Sequence, residues 1–274
     1  MMRVKVISMR GASLAGLIVA TALVGQEIAR FTRTLAAQEA VFKLPPNQWN
    51  RPEPIRVTVS TFPREEGPRS APSDAIVLFN GRDLSDWQSV SGGPARWKVG
   101  DGYFQVVPGT GNIETKQTFK DFQLHVEWTT PYPPSGEAMD RGNSGVFLQG
   151  LYEVQIFDSY DTKIYPDGVA GAMYGQYPPL VNACRPPGAW QSFDIIFHAP
   201  QFMPNGSLLH PARVTVFENG VLVQDNVPLT GPTRHLKRPP YEPGVDRGPI
   251  MLQEHGSPVR FRNLWIRKLK FGTD

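Results

Sequence analysis

Short runs in which apolar and polar residues alternate recur along the chain from Ala75 onward, separated by glycine and proline. Residues 122–128 alternate strictly, and residues 213–223 alternate on both sides of Asn219-Gly220, a dipeptide typical of tight hairpins because both residues tolerate positive φ. No segment keeps a helical period over three turns. With 27 prolines and 26 glycines in 274 residues, turn signals are plentiful. The pattern predicts an all-β fold, a sandwich or jelly roll of two antiparallel sheets.

Residues 1–37 have the pattern of an export signal. Arg3, Lys5 and Arg10 flank the start of an apolar run over residues 11–25, as the cationic and apolar regions of a signal peptide do. Cleavage is expected after Gly25 or Ala37, and the mature protein is predicted to be periplasmic or secreted. The alternative is an uncleaved N-terminal segment that attaches the protein to a membrane, although the run is short for a span.

The positive charge of the chain resides in this leader. The net charge is +3, and cleavage after Gly25 would remove three cations and no acid, leaving 0. Cleavage after Ala37 would also remove two arginines and Glu27, leaving −1. A nearly neutral mature protein is not expected to bind nucleic acid. The single cysteine, Cys184, permits no internal disulfide, so stability must come from the core.

A proline-rich stretch over residues 38–73 separates the leader from the alternating region. We interpret it as a linker, or as an arm wrapped on the domain, in which residues 55–59 could add one edge strand. The predicted organisation is therefore a leader over 1–37, an arm over 38–73 and one β-sandwich domain over 74–271.

Three alternating runs carry acids, amides and imidazoles on one side. Successive side chains of a strand point to opposite faces, so His125 and Glu127 share a face, as do Glu153 and Gln155, and Gln253 and His255. A solvated sheet face would explain this pattern without any function. Glutamate, glutamine and histidine are nevertheless the residues that orient sugar hydroxyls and move protons. We therefore expect Glu127, Glu153, Gln155, Gln253 and His255 to line one concavity.

Two glycine-bounded segments add candidate ligand contacts. Residues 142–145, Gly-Asn-Ser-Gly, precede a strand-like run and place the Asn143 amide at the edge of the sheet. Residues 171–175, Gly-Ala-Met-Tyr-Gly, could project Tyr174 over a cleft. Either segment could equally be a tight turn and nothing more.

Together these segments resemble the 3-keto-disaccharide hydrolase family. The opening LFNGRDLSDW at residues 78–87, GNSGVFL at 142–148 and YEVQIFD at 152–158 are similar to the family's blocks. Further similarity lies at residues 97–102, 171–175, 188–191, 252–256 and 259–266. Each block alone is weak, whereas the ordered set is specific. The resemblance implies a concanavalin A-like β-sandwich that cleaves 3-keto-glycosides by hydrolysis or by a lyase route.

That chemistry needs a base, an acid near the leaving oxygen and a group that polarises the ketone. The predicted catalytic residues are Glu153, His255, Asp158 at the rim and Glu127. The predicted substrate-binding residues are Asn143, Gln155, Tyr174, Gln253 and His125.

No cofactor is identified from the sequence. A divalent metal held by Glu153, Asp158 and His255 could polarise the ketone, and the alternative is a hydrogen-bonded cluster without metal. Two other functions stay open: an ordinary glycosidase, which the glutamine between Glu153 and Asp158 disfavours, and a lectin-like module that only binds sugar.

Overall fold

The computed structural model describes residues 52–58 and 71–269. The strands within these residues are β1 (Ile76–Val77), β2 (Trp87–Ser89), β3 (Lys98–Val99), β4 (Phe104–Gln105), β5 (Ile113–Thr115), β6 (Phe122–Thr129), β7 (Ser144–Leu148), β8 (Tyr152–Ile156), β9 (Gln191–His198), β10 (Gln201–Phe202), β11 (Leu208–His210), β12 (Arg213–Glu218), β13 (Val221–Pro228), β14 (Met251–Leu252) and β15 (Arg260–Lys268). The helices of this part of the chain are two short 3-10 turns, Ala138–Asp140 and Pro166–Gly168.

The strands form two main antiparallel sheets. An eight-stranded sheet has the order β13-β12-β9-β6-β15-β4-β3, with β1 also paired to β15. A five-stranded sheet has the order β2-β5-β14-β7-β8, and β10 pairs with β11 in a separate ribbon. The prediction of an all-β, two-sheet antiparallel sandwich is confirmed.

The core lies between the two sheets and follows the alternation of the sequence. On β6, Leu124 and Val126 face inward, and on the five-stranded sheet Val146, Val154 and Leu252 face them across one hydrophobic cluster. All five are fully buried. Because inward side chains alternate with outward ones, the polar residues of β6 and β8 must lie on the outer faces of their sheets.

The predicted hairpin at Asn219-Gly220 is confirmed. It joins β12 to β13, and both residues have positive φ, 53° and 82°. Two successive residues with positive φ match the right-handed twist of the flanking strands, which explains why asparagine and glycine stand there.

Part of the proline-rich arm contacts the domain. Arg56 forms an isolated parallel bridge with Asn182, and the Val57 N–H donates to the Asn182 carbonyl at 3.0 Å. The rest of the predicted edge strand (Val59), most of the arm and the whole predicted leader lie outside the described residues. Among the residues that are described, no helix has the length and apolar character needed to cross a membrane.

Candidate active site

A cavity of about 500 Å³ lies on the outer face of the five-stranded sheet. Six of the residues predicted from the sequence line it: Asn143, Glu153, Gln155, Tyr174, Gln253 and His255. The lining that the sequence did not predict comprises Met139, Phe147, Tyr165, Thr233, Arg234 and His235. The outer face of this sheet is therefore the candidate site.

Strand register brings the central polar residues together. Gly145 on β7 pairs with Gln155 on β8, and the Gln253 N–H donates to the Gly145 carbonyl at 3.0 Å. The two glutamines thus flank Gly145 in one row. Phe147 pairs with Glu153 in the next outward-facing row of the same two strands.

Glu153 is a buried carboxyl group that lines the cavity. It is 4% exposed, and burial raises its pKa to about 8. Among the described residues, no hydrogen bond or ion pair reaches this carboxyl group. A Cβ at position 145 would collide with its Oε1, so the glycine provides the space in which the carboxyl group lies. Because its pKa exceeds 7, Glu153 holds a proton at neutral pH and can donate it.

The two glutamines present acceptors beside this acid. The Gln155 Nε2 donates to the Gly168 carbonyl at 3.1 Å, which fixes the orientation of the amide. The Gln155 Oε1 is then a buried acceptor without a hydrogen-bond partner in the described part of the chain, and the Gln253 Oε1 is another. A buried carbonyl oxygen without a partner is costly, so both atoms suit a ligand that carries hydroxyl donors.

One wall of the cavity is a chain of hydrogen-bonded rings. The hydroxyl groups of Tyr165 and Tyr174 are 2.8 Å apart, and the Tyr174 hydroxyl is 3.0 Å from Nδ1 of His235. The rings of Tyr174 and His235 also stack, with centroids 6.5 Å apart. A Cβ on Gly168 would collide with the Tyr165 ring, so this glycine lets the ring lie against the 3-10 turn.

Two further predicted residues, Asn143 and His255, also line the cavity. The Asn143 Nδ2 donates to the Met139 carbonyl at 2.7 Å, so this buried side chain ties the segment before β7 to the 3-10 turn. His255 is exposed at the edge of the cavity.

Comparison with known proteins identifies the family of the chain. Residues 74–267 match the profile of the 3-keto-alpha-glucoside-1,2-lyase-like domain. The chain belongs to this family. The resemblance seen in the sequence is thereby confirmed, and it supports a carbohydrate-active role. No sequence among the curated proteins matches the chain.

Two solved structures are similar to the chain. A proposed glycosyl hydrolase from Parabacteroides distasonis is 48% identical, with a TM-score of 0.72, and the match covers 81% of this chain and 94% of that one. A second proposed glycosyl hydrolase from the same organism is 24% identical, with a TM-score of 0.52, over 72% of this chain and 94% of the other. The second likeness shows the fold alone.

Asp158 does not line the cavity of this family member. It follows β8, is 1% exposed, and pairs with the Arg141 Nε at 2.7 Å. The expectation that Asp158 stands at the rim of the sugar site is therefore corrected. Counted on from Glu153 and Gln155, Asp158 falls on the opposite face, the side of Val154 and Ile156, where it fixes Arg141, the residue that precedes the Gly-Asn-Ser-Gly segment.

Glu127 and His125 lie on the opposite side of the sandwich. Both face outward, but β6 belongs to the eight-stranded sheet, so their face points away from Glu153. The Glu127 carboxylate accepts hydrogen bonds from Arg262 Nε at 2.6 Å and Asn263 Nδ2 at 2.8 Å. His125 Nδ1 lies 2.7 Å from Asp194. Glu127 therefore does not share a concavity with Glu153 as expected, and His125, expected to bind substrate, lies on the same opposite face.

His125 and Glu127 form ion pairs with the charged residues around them. Burial opposes charge on His125, but hydrogen bonds to Asp194 and Glu127 outweigh it and raise the His125 pKa to about 9. Burial likewise opposes charge on Glu127, yet His125, Asn263 and Arg262 lower its pKa to about 2. Both groups are therefore charged at neutral pH, in contrast to Glu153.

The metal hypothesis named Glu153, Asp158 and His255 as ligands. These residues do not form a common ligand set, because Asp158 is bound to Arg141 outside the cavity. Within the described ranges, no three histidine, cysteine, aspartate or glutamate side chains are grouped closely enough to hold an ion.

A second buried acid with a raised pKa was not anticipated from the sequence. Glu218, the last residue of β12, is fully buried and faces the core side of its sheet, and burial raises its pKa to about 8. It does not line the cavity. Glu218 is thus protonated at neutral pH, as Glu153 is, but it lies outside the candidate site.

Proposed function

We propose that the chain cleaves the C1 glycosidic bond of 3-keto-glycosides, by β-elimination alone or followed by addition of water. The observation that carries this proposal is the Glu153 carboxyl group, which is buried in a sugar-sized cavity with a pKa of about 8. Membership of the 3-keto-alpha-glucoside-1,2-lyase-like family supports the choice of substrate class.

The ketone at C3 makes the C2 hydrogen acidic. A base removes that hydrogen as a proton, the C2–H electron pair forms the C1–C2 double bond, and the C1–O bond breaks. The departing oxygen needs a proton, and Glu153 is protonated at neutral pH and faces the cavity. We assign Glu153 as the general acid. Two imidazoles line the same cavity and offer a base: His255, which the sequence predicted, and His235.

The amides hold the sugar in place. The unpartnered Oε1 atoms of Gln155 and Gln253 accept hydrogen bonds from ring hydroxyls, and Asn143 lines the same wall. Fixing the ring in this way aligns the C1–O bond with the acid, which contributes to the rate through positioning.

The two alternative functions fit the cavity less well. An ordinary glycosidase uses a pair of carboxyl groups on either side of the bond, whereas among the described residues Glu153 is the one acid that lines the cavity. A module that only binds sugar has no need of a proton donor in its cavity, whereas Glu153 is a buried acid with a raised pKa that lines this cavity, a combination typical of catalytic groups.

The proposal is tested with a 3-keto-disaccharide and its parent disaccharide. We expect release of the aglycone from the keto sugar and almost none from the parent, since the parent's C2 hydrogen is not acidic. Substrate deuterated at C2 should react more slowly. Equal rates on both sugars without an isotope effect would refute the elimination route and support the ordinary glycosidase.

We also propose that the protein is exported. The cationic residues before the apolar run over residues 11–25 support this. The intact mass of the protein recovered from its source cells should show loss of the first ~25 to ~37 residues, as signal cleavage requires. A full-length product in the cytoplasm would contradict export.

A further inference from the structure

The hydrogen-bonded chain of Tyr165, Tyr174 and His235 runs from inside the cavity to its exposed edge. The two contacts are 2.8 Å between the hydroxyl groups and 3.0 Å from the Tyr174 hydroxyl to His235 Nδ1. When Nδ1 accepts the Tyr174 proton, the Tyr174 oxygen is left to accept the Tyr165 proton. Both hydrogen bonds among these three side chains then have a defined donor and acceptor.

The backbone ties this chain to Glu153 from both sides. The Tyr174 N–H donates to the Glu153 carbonyl at 3.1 Å, and the Glu153 N–H donates to the Thr233 Oγ1 at 3.0 Å. His235 lies two residues beyond Thr233, in a turn closed by the Lys237 N–H to the Arg234 carbonyl at 3.2 Å. The acid and the hydrogen-bonded chain are therefore held beside one another by short backbone links.

We propose that Tyr174, activated by His235, is the base that removes the C2 proton, an inference that rests on the proposed function. The C2 proton moves to the Tyr174 oxygen as the phenolic proton moves to His235 Nδ1. The C2–H electrons form the C1–C2 double bond, and the C1–O electrons leave with the glycosidic oxygen, which takes the proton of Glu153. Tyr165 donates to the Tyr174 oxygen while negative charge develops on it.

His255 is a less suitable base. Both His255 and His235 are exposed, but among the described residues no hydrogen bond orients the His255 ring. His235 has its Nδ1 engaged by Tyr174 and its ring stacked on the tyrosine. A general base acts from a fixed position within reach of the proton, and the base is itself usually oriented by a third group.

The decisive variant is Tyr174→Phe, which removes the hydroxyl group and keeps the ring. We expect kcat on a 3-keto-glycoside to fall by about 10²–10⁴-fold with little change in KM. The C2 deuterium isotope effect should be at least as large as in the unmodified protein. Because residues that act as a unit are not additive, adding His235→Gln to Tyr174→Phe should cost little more than Tyr174→Phe alone.

The matched control is Tyr177→Phe, which removes a hydroxyl bonded to the Pro228 carbonyl at 2.8 Å outside the cavity. It should lose some stability and keep its kcat. Thermal unfolding of all variants identifies any that fail to fold.

Three results would overturn the assignment. Tyr174→Phe could raise KM alone, it could match Tyr177→Phe in kcat, or His255→Gln could abolish turnover while His235→Gln does not. In these cases the unmodified protein still cleaves the keto sugar, and the proposed function stands. A folded, unmodified protein that is inert towards every 3-keto-glycoside would instead refute the proposed function, and this assignment with it.

Discussion

The Oε1 of Glu153 lies against the α-carbon of Gly145, in the volume that a Cβ at position 145 would occupy. The two residues are on neighbouring strands, and Glu153 pairs with Phe147, two positions further along β7. The acid therefore bends over the strand beside it rather than pointing straight out of the sheet. The second glycine of the Gly-Asn-Ser-Gly segment thus has a steric role in positioning the acid.

We expect Gly145→Ala to displace the Glu153 carboxyl group. A shift of about 1 Å in a catalytic group can cost on the order of 10²-fold in rate, so kcat/KM on a 3-keto-glycoside should fall by about that factor. Overpacking should also cost about 1–3 kcal/mol of stability, measured by denaturant unfolding. On a Glu153→Gln background, Gly145→Ala should have little further effect on rate, and a full additional loss would disprove the steric explanation.

Two buried acids make the stability depend on pH in a defined direction. Below pH 4.5, Glu153 and Glu218 are protonated in both the folded and the unfolded chain, so they do not lower the free energy of unfolding. Between pH 4.5 and about 8, the unfolded chain loses these protons first, so the free energy of unfolding decreases as pH rises. For each acid, this decrease can reach about 1.4 kcal/mol for every pH unit by which its folded pKa exceeds its unfolded pKa.

Glu153→Gln and Glu218→Gln should therefore each stabilise the protein at pH 8 and leave it nearly unchanged at pH 4.5, as measured by denaturant unfolding at the two pH values. Turnover separates them. Glu218→Gln should keep the activity and Glu153→Gln should lose most of it, because only Glu153 lines the cavity. The same stability gain at both pH values would show that these carboxyl groups are not held neutral.

The pH profile of turnover should fall on its alkaline side. Glu153 donates a proton only while it is protonated, so kcat/KM should decline as pH rises through about 8, the pKa set by burial. The residual activity of Glu153→Gln should lack this decline. A rate that stays level to pH 10 in the unmodified protein would exclude Glu153 as the acid.

Glu127→Gln should affect stability and leave catalysis unchanged. Breaking a buried ion pair leaves a partner uncompensated, at a cost of roughly 3 kcal/mol. The Glu127 pKa is about 2, against 4.5 in the unfolded chain, so its contribution is present above pH 4.5 and is lost as pH falls towards 2. The variant should therefore be destabilised at pH 7 with unchanged kcat and KM, and a large loss of turnover would restore Glu127 to the site.

Alternation along the strands was enough to predict the sandwich and to assign each polar side chain to the outer face of its strand. It could not tell which sheet a strand joins, because pairing depends on partners far away in sequence. For this reason Glu127 and Glu153 had equivalent sequence patterns and occupy opposite sides of the molecule.

The sequence pattern also could not predict which outer face is covered. Tyr165 and His235 come from irregular segments without periodicity, and the site depends on how these segments fold over β8. Tyr174 was found because glycines bound its segment, whereas His235 has no comparable signal.

β14 lies between β5 and β7 at the centre of the five-stranded sheet, yet five other strands, β9 to β13, are encoded between β8 and β14. The Glu254 N–H donates to the Asn112 side chain across 142 positions. During synthesis, β7 and β8 leave the ribosome before β14, the neighbour of β7 in the sheet. Glu153, on β8, is therefore made before its sheet is complete. Pairing over such distances is slow, and unpaired strand edges expose a nascent chain to aggregation. The candidate site is thus completed only after β14 has been synthesised, and a chain released before β14 would have the acid without the sheet that surrounds it.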